Sequence, residues 1–458
     1  MDREGLVNRL QGIVGTDSVL FSEVDLTLYG YDASLEKGQP DAVVLPGSTE
    51  EVSRVVRLAY EEGIPIIARG SGTNLSGGTV AVRGGIVIHF SRMNKILEID
   101  IPNRTVTVEP GVITLDLQTR LLKQGFLYAP DPASQKVSTI GGNVGENSGG
   151  PHCLKYGVTT NHVLGAEIVQ YNGTVTWIGG KNPDNPGYDL MGLIVGSEGT
   201  LAIATKLILR IIRAPEAIKT MLAIYDSIED ASNTVSAIIA EGIVPATLEM
   251  MDHVVMEAVE KSVKAGYPLD AAAVLIIELD GLKDGLDRQA SKILEICKLH
   301  NVREVQLAND DAERAKLWAG RKGAFGAVTR LRPCYMVCDG TVPRTKLPEV
   351  LNKVLKVGEK YGLLIGNVFH AGDGNLHPLI LFDERNEEEK KTAIKAASEI
   401  LMICADAGGT ISGEHGIGLE KLREMYFIFS EDDLEAMRQI KRALDPKDVL
   451  NPGKVLPS

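Results

Sequence analysis

The sequence predicts an α+β fold in two packed parts, a glycine-rich part built of short strands and loops, and a second domain in which amphipathic helices back an antiparallel sheet. Two observations carry the prediction. Up to about Ala214, short apolar strands end in clusters of glycine, serine and asparagine; beyond it glycine thins out and strands alternate with longer helices. The 458 residues are 44% hydrophobic and 24% charged, which supplies the apolar surface for two or three domains, and no repeat or low-complexity linker separates them.

In the first part, Asp41 to Leu45 reads as a strand. A helix capped by Ser48 or Thr49 follows, with Val52, Val55, Val56 and Ala59 on one face and Gly63 at its end. Ile64 to Ala68 is the next strand and completes a β-α-β unit that delivers the chain into Arg69-Gly70-Ser71-Gly72-Thr73-Asn74-Leu75-Ser76-Gly77-Gly78. Further strands are read at Ile86 to Phe90, Thr105 to Glu109 and Ala166 to Gln170, the last turning at Asn172-Gly173 into Thr174 to Ile178. In the second part, strands are expected at Ile218 to Tyr225, Ala246 to Met251, Ala273 to Leu279 and Val305 to Leu307. A long helix then carries Trp318, Arg321 and Phe325. A last helix, Glu431 to Leu444, has Ser430 and Asp433 placed as a capping pair and Pro446 beyond its end.

A net charge of −13 argues against a nucleic-acid partner, because phosphate neutralisation needs clustered Lys and Arg. A small anionic substrate would need a local cation instead. The N-terminal MDREGLVNRLQGIVG lacks the unbroken apolar run of a secretory signal, and no apolar stretch is long enough for a transmembrane helix. The expected compartment is the cytoplasm, with any attachment to the inner membrane made peripherally through a partner. Cys153, Cys297, Cys334, Cys338 and Cys404 are scattered and never spaced as CxxC, so neither a disulfide framework nor an iron–sulfur site is signalled.

The loop from Arg69 to Gly78 lacks the GxGxxG spacing of a standard NAD site, yet its glycines leave backbone N–H groups uncovered, as a pyrophosphate requires. Such clusters are also ordinary loop chemistry, so this loop alone does not decide. A second segment, Pro130-Asp131-Pro132-Ala133-Ser134 followed by Ser138-Thr139-Ile140-Gly141-Gly142-Asn143-Val144-Gly145-Glu146-Asn147-Ser148-Gly149-Gly150, suggests that both loops serve one long ligand. ARGSGTNLSGG, YAPDPAS, STIGGNVGENSGG, YGVTTNHVLG and GSEGTLAIAT, in this order, resemble the FAD-binding domain of the vanillyl-alcohol-oxidase family, and the resemblance runs over nearly the whole chain.

That resemblance implies a two-part FAD-binding domain over 1–214, an α+β cap over 215–420 and a C-terminal segment, 421–458, that returns to the FAD domain. It implies FAD with its pyrophosphate on Arg69, Gly70, Ser71, Gly72, Thr73 and Asn74. Pro130, Ser134, Thr139, Gly141, Gly142, Gly145, Asn147, Gly157, Val163, Glu198, Ile203 and Asn451 are implied to line the rest of the cofactor. His152 is the candidate for a covalent flavin link, but the hydroxy-acid branch holds FAD non-covalently, so His152 reads as a loop histidine.

In the second half, His370 and His377 flank the Gly-rich turn of His370-Ala371-Gly372-Asp373-Gly374-Asn375-Leu376-His377-Pro378, and Glu414-His415 follows in SGEHGIG. A hairpin or bulge can bring both imidazoles to one point, and three such groups can hold a divalent metal with open positions. Spacing alone leaves open that these are separate polar loop residues. HxGDGNLHP followed by GxxSGEHGxG resembles the signature of the family's metal-dependent D-2-hydroxyacid dehydrogenases, which include the glycolate oxidase flavin subunit and D-lactate dehydrogenases. It implies His370, His377 and Glu414 as ligands of one divalent metal, zinc foremost, with iron or manganese as alternatives. It further implies His415 as catalytic base, with Asn375 orienting substrate or flavin.

Leu317-Trp318-Ala319-Gly320-Arg321-Lys322 resembles the family's WxxR segment and implies that Arg321 meets the substrate carboxylate; the alternative is an exposed helix arginine. Trp318 and Phe325 read as core. Asp339 resembles the glycolate-oxidase-like branch, and Met336 and Val337 lack the basic residue carried nearby by relatives that take longer dicarboxylic hydroxy acids, so the resemblance implies a small monocarboxylate, D-lactate or glycolate, oxidised to the 2-oxo acid with hydride passing to flavin N5. The electrons would leave to a quinone, an electron-transferring flavoprotein or an iron–sulfur subunit, and a homodimer is left open. The competing functions are a non-catalytic flavin relay subunit, a flavin-free metal hydrolase and a non-redox alkyl transfer on the same fold. The intact His/Glu motif weighs against the first and the glycine loops against the second.

Overall fold

The computed structural model describes residues 2–182 and 186–457. The chain forms two compact units: Met1–Gly149, Gly157–Ala214 and Glu414–Ser458 make the first, and Gly150–Tyr156 with Pro215–Gly413 make the second. These bounds differ from the expected division in two places. The short stretch 150–156 belongs to the second unit, and the chain enters the first at 414 rather than 421. The reasons are local. Lys155 and Tyr156 bond to Asp280 in the second unit, while Glu198 of the first unit accepts hydrogen bonds from the N–H groups of Ile417 and Gly418.

The first unit has a four-stranded sheet of β1 (Val19–Leu20), β2 (Ala42–Val44), β3 (Ile66–Arg69) and β4 (Ile86–His89), in the order β1-β2-β4-β3. The expected β-α-β unit forms, but its strands are not neighbours: β4 lies between β2 and β3, parallel to both. Ile86, Val87 and Ile88 have no exposed surface, and a continuous apolar run of this kind suits a central strand buried on both faces. The intervening helix Thr49–Glu62 is capped by Ser48, stopped by Gly63 in the left-handed conformation at φ 68°, and buries Val52, Val55, Val56 and Ala59 as its spacing predicts. Past Asp445 the C-terminal segment joins this sheet, where Ile66 exchanges backbone hydrogen bonds with Val449 and Asn451.

The same unit holds an antiparallel sheet made from β5 (Ile96–Asp100) and β6 (Thr105–Val108) and, past a short β7 (Phe126–Leu127), from β8 (Val163–Val169), β9 (Val175–Gly179) and β10 (Ile203–Arg210), ordered β5-β6-β10-β8-β9. β11 (Ile212–Arg213) pairs with β7. The hairpin expected at Asn172-Gly173 joins β8 to β9.

The second unit is one antiparallel sheet of seven strands: β12 (Ala217–Tyr225), β13 (Thr247–Asp252), β14 (Ala273–Gly281), β15 (Glu304–Leu307), β16 (Cys334–Val337), β17 (Leu364–His370) and β18 (Pro378–Phe382). Their order is β15-β12-β14-β13-β17-β18-β16. The helix Asp311–Val328 turns Arg314, Trp318 and Arg321 towards the sheet, and Trp318 is buried as expected. Among the described residues, no helix is long and apolar enough to cross a membrane.

Asp252 shows how tightly this sheet is tied. It caps the helix His253–Ser262 through Val255 N–H at 3.0 Å and accepts from Asn367 N and Nδ2 at 2.8 and 2.9 Å, so it joins the end of β13 to the middle of β17. Asp252→Ala leaves three donors unpaired and is expected to cost about 3 kcal/mol of the second unit's stability. A urea titration followed by circular dichroism measures it as a lowered midpoint.

Candidate active site

The first unit contains a cleft walled by the ends of β3 and β10 and by the two glycine-rich loops. Of the residues expected at the cofactor, Arg69, Gly70, Thr139, Gly141, Gly142, Gly145, Glu198 and Ile203 line it. Ser71, Gly72, Thr73, Asn74, Pro130, Ser134, Asn147, Gly157, Val163 and Asn451 lie in the same unit but outside that wall. Glu146 and Ser197, which stand inside the same motifs, line it too.

Close backbone approach makes the cleft. Gly70 lies so near the second loop that a Cβ there would stand 2.3 Å from Thr139 Oγ1. Thr139 in turn caps the helix Ile140–Glu146, accepting from Gly142 N–H at 3.2 Å. The first loop is curled by Asn74, whose Oδ1 accepts from the N–H groups of Ser76 and Gly78 at 2.9 and 2.8 Å. Asn451 acts through its neighbours, donating Nδ2 to the carbonyls of Gly78 and Glu198 at 2.8 and 2.7 Å and so joining two residues of the wall.

Glu198 also reaches the segment that carries Glu414 and His415. Its Oε1 accepts from Ile417 and Gly418 N–H at 2.7 and 3.0 Å, while Ser76 Oγ donates to the His415 carbonyl at 3.0 Å. Gly416 has φ 83° and sits between two acids, where a Cβ would be 2.5 Å from Glu146 Oε2 and 2.7 Å from Glu198 Oε1. Burial, reinforced by the neighbouring Glu198, raises the Glu146 carboxyl well above its ordinary range, and burial raises Glu198 as well.

In the second unit, the Gly-rich turn between β17 and β18 brings the two histidines together: the ring centroids of His370 and His377 are 5.1 Å apart and nearly perpendicular. Gly374, at φ 81°, makes the turn possible, because a Cβ there would lie 2.1 Å from the Val342 carbonyl oxygen. Asp339 has no exposed surface and sits 3.8 Å from His377 Nδ1. Its Oδ2 accepts from Ser412 Oγ at 2.7 Å and from Gly413 N at 3.0 Å, and a Cβ on Gly413 would touch the Asn375 amide at 2.6 Å. Gly413 therefore packs directly on Asn375.

Glu249 is the residue sequence reasoning missed. It has no exposed surface, faces His370 across the β13–β17 ladder, and accepts at 2.6 Å from both His370 Nδ1 and Arg321 Nε. Burial alone would raise its carboxyl, but Arg321 and His370 outweigh it and hold the group below its ordinary range, as a carboxylate. Arg321 is thus no exposed helix arginine; it is 4% exposed and ion-paired. His152 is stacked 6.2 Å from Trp318, with Nε2 3.5 Å from Glu278, inside the second unit.

Residues 40–179 match the FAD binding domain family, and residues 214–455 match the family described as FAD linked oxidases, C-terminal domain. The chain belongs to the FAD-linked oxidases. It is 44% identical over 445 residues to glycolate oxidase subunit GlcD of Bacillus subtilis (strain 168), covering 97% of this chain and 95% of that protein. It is 33% identical over 448 residues to a D-lactate dehydrogenase of Anaerostipes hadrus, covering 95% and 92%. The solved structure of p-cresol methylhydroxylase with substrate bound is similar at a TM-score of 0.84 and 19% identity, covering 99% of this chain and 97% of that one, a likeness that speaks for the fold alone. The fold of this FAD-linked oxidase is the two-part α+β arrangement of the vanillyl-alcohol-oxidase type, as the motifs imply.

The cleft suits FAD on its own geometry. Gly145 lines it, and outside its own helix and chain neighbours nothing stands within 4 Å of where a Cβ would be, so a larger side chain there has room to grow without striking another element. Gly145→Leu is expected to fold with a thermal midpoint close to the parent's and to lose most of its FAD. The absorbance at the flavin maximum relative to that at 280 nm (roughly the aromatic band) reads this directly, and full flavin content in the variant would move the cofactor elsewhere.

Proposed function

We propose that this FAD-linked oxidase oxidises a small D-2-hydroxy acid, D-lactate or glycolate, to the 2-oxo acid, with one divalent metal held by His370, His377 and Glu414. The observation that carries the reading is the pair of imidazoles at the β17–β18 turn, one of them already oriented by a buried carboxylate. Relatives named for glycolate and D-lactate, at 44% and 33% identity over nearly the whole chain, support the substrate class. Two imidazoles and a carboxylate suit zinc, with iron or manganese as alternatives.

Each residue has a task in this reading. Arg321 takes the substrate carboxylate, since its bond to Glu249 uses Nε and leaves the two terminal amino groups as a paired donor. A divalent metal supplies Lewis acidity that makes the α-hydroxyl a stronger acid. His415 accepts the hydroxyl proton as general base. Asn375 Oδ1, buried without a hydrogen-bond partner, orients substrate or flavin. FAD supplies the acceptor for the α-hydrogen and its electron pair. The electrons then leave to a separate acceptor, an electron-transferring flavoprotein, an iron–sulfur subunit or a quinone. This agrees with the absence of cluster-spaced cysteines in the sequence and with the Bacillus subtilis relative being named a subunit. The reading places the protein in the cytoplasm, meeting the membrane only through that partner.

His370→Ala is expected to lose metal and activity together. His415→Ala should keep metal and FAD and slow flavin reduction by roughly 100-fold or more. Stopped-flow absorbance with metal analysis of the same samples checks both, and equal loss of FAD in the two variants would remove these residues from the chemistry. Arg321→Lys should act mainly on KM, and an unchanged KM would move the carboxylate contact.

A further inference from the structure

We infer that Glu249 is a positioning residue for both halves of the substrate site, one buried carboxylate setting the imidazole of His370 and the guanidinium of Arg321 together. The inference rests on the metal and carboxylate roles proposed above and adds a dependence between them. Glu249 is ion-paired through Oε2 to Arg321 Nε, a group that only donates, and so faces His370 as an acceptor: the 2.6 Å contact at Oε1 makes Nδ1 the donor nitrogen of His370. In the neutral ring that a metal ligand must present, Nε2 is then the unprotonated nitrogen, the tautomer that an outer carboxylate commonly enforces on a ligand histidine. The other oxygen, Oε2, takes Arg321 Nε at 2.6 Å and fixes the plane of the fork.

The arrangement follows from strand geometry. Glu249 and His370 are opposite one another in the antiparallel β13–β17 ladder, so their side chains emerge on the same face. Thr247, two residues back and therefore on that face too, donates Oγ1 to Glu249 Oε1 at 3.2 Å. Arg321 arrives from the helix Asp311–Val328. Glu249 has no exposed surface, so water cannot replace either partner once the carboxylate is altered. A carboxylate whose only role was to neutralise Arg321 would not need the contact to His370.

The test compares the parent holoprotein with Glu249→Gln, Glu249→Asp and His370→Ala. Gln turns one oxygen into a donor that cannot accept from His370 or Arg321; Asp keeps the charge, and with it the fold, but is too short to span both. Zinc affinity is measured by chelator competition, KM with D-lactate and glycolate, and the imidazole tautomer by nitrogen NMR on protein labelled only at histidine. The expected result in the Glu249 variants is zinc affinity weakened roughly 10- to 100-fold, a raised KM, loss of the Nδ1–H signal of His370, and FAD content near the parent's. Parent-like zinc affinity or parent-like KM in a folded, FAD-replete Glu249 variant would overturn the inference alone, provided His370→Ala has lost its zinc. A parent that binds no divalent metal, or a His370→Ala variant that binds as much as the parent, would overturn the metal reading and this inference with it.

Discussion

Two ionised acids inside one sheet set the conditions for the second unit. Glu249 and Glu278 are both without exposed surface, and a buried carboxylate costs several kcal/mol unless its oxygens are matched. The match comes from one helix: Arg314 and Trp318 bond Glu278 at 2.8 Å, and Arg321 bonds Glu249 at 2.6 Å. The helix Asp311–Val328 is therefore held by a polar stripe at helical spacing, which fixes its rotation and its position along the strands more narrowly than apolar packing would. Because His370 shares Glu249 with Arg321, the placement of that helix and the orientation of a candidate metal ligand are one structural fact. Glu278 extends the same network to His152, and together its partners hold its carboxyl far below the ordinary range despite burial.

The first unit solves a different problem, the close approach of backbone to a long anionic ligand. Its means are the small residues at strand ends, and the cost of the bare backbone is met by local closures such as Asn74 in its loop, Thr139 at its helix and Asn451 between Gly78 and Glu198. Glu198 links this cleft to the 414–418 segment through Ile417 and Gly418, so the loop bearing the proposed base is anchored on a residue of the cleft wall.

Much of this was legible in the sequence, for reasons that can be named. The glycine loops announce themselves by composition, and at Gly374 the positive φ and the Val342 carbonyl oxygen 2.1 Å from where a Cβ would stand show what the glycine is for. HAGDGNLHP is legible through its resemblance to the family motif, since a tight turn can bring two histidines to one point but spacing alone does not require it. The capping pair at Ser430 and Asp433 is a local signal and forms as read. Glu249 was hidden because TLEMM alternates as a half-exposed strand would, with the acid on the wet face; only the tertiary arrival of Arg321 and the pairing with β17 show that both faces are covered. The insertion of β4 between β2 and β3 was equally invisible, since the order of strands in a sheet is decided by burial and not by succession along the chain.

In the proposed function one protein joins a flavin, a divalent metal and a small 2-hydroxy acid. The most direct measurement is anaerobic: record the visible spectrum of the purified protein, add D-lactate, L-lactate, glycolate and D-2-hydroxyglutarate in separate cuvettes, and repeat after chelation and after zinc is restored. The expected result is bleaching of the flavin band by D-lactate or glycolate, abolished by the chelator and recovered with metal. A flavin spectrum that none of the acids bleaches, with metal present and the protein folded, would contradict the account and favour a relay subunit or a non-redox reaction on the same fold.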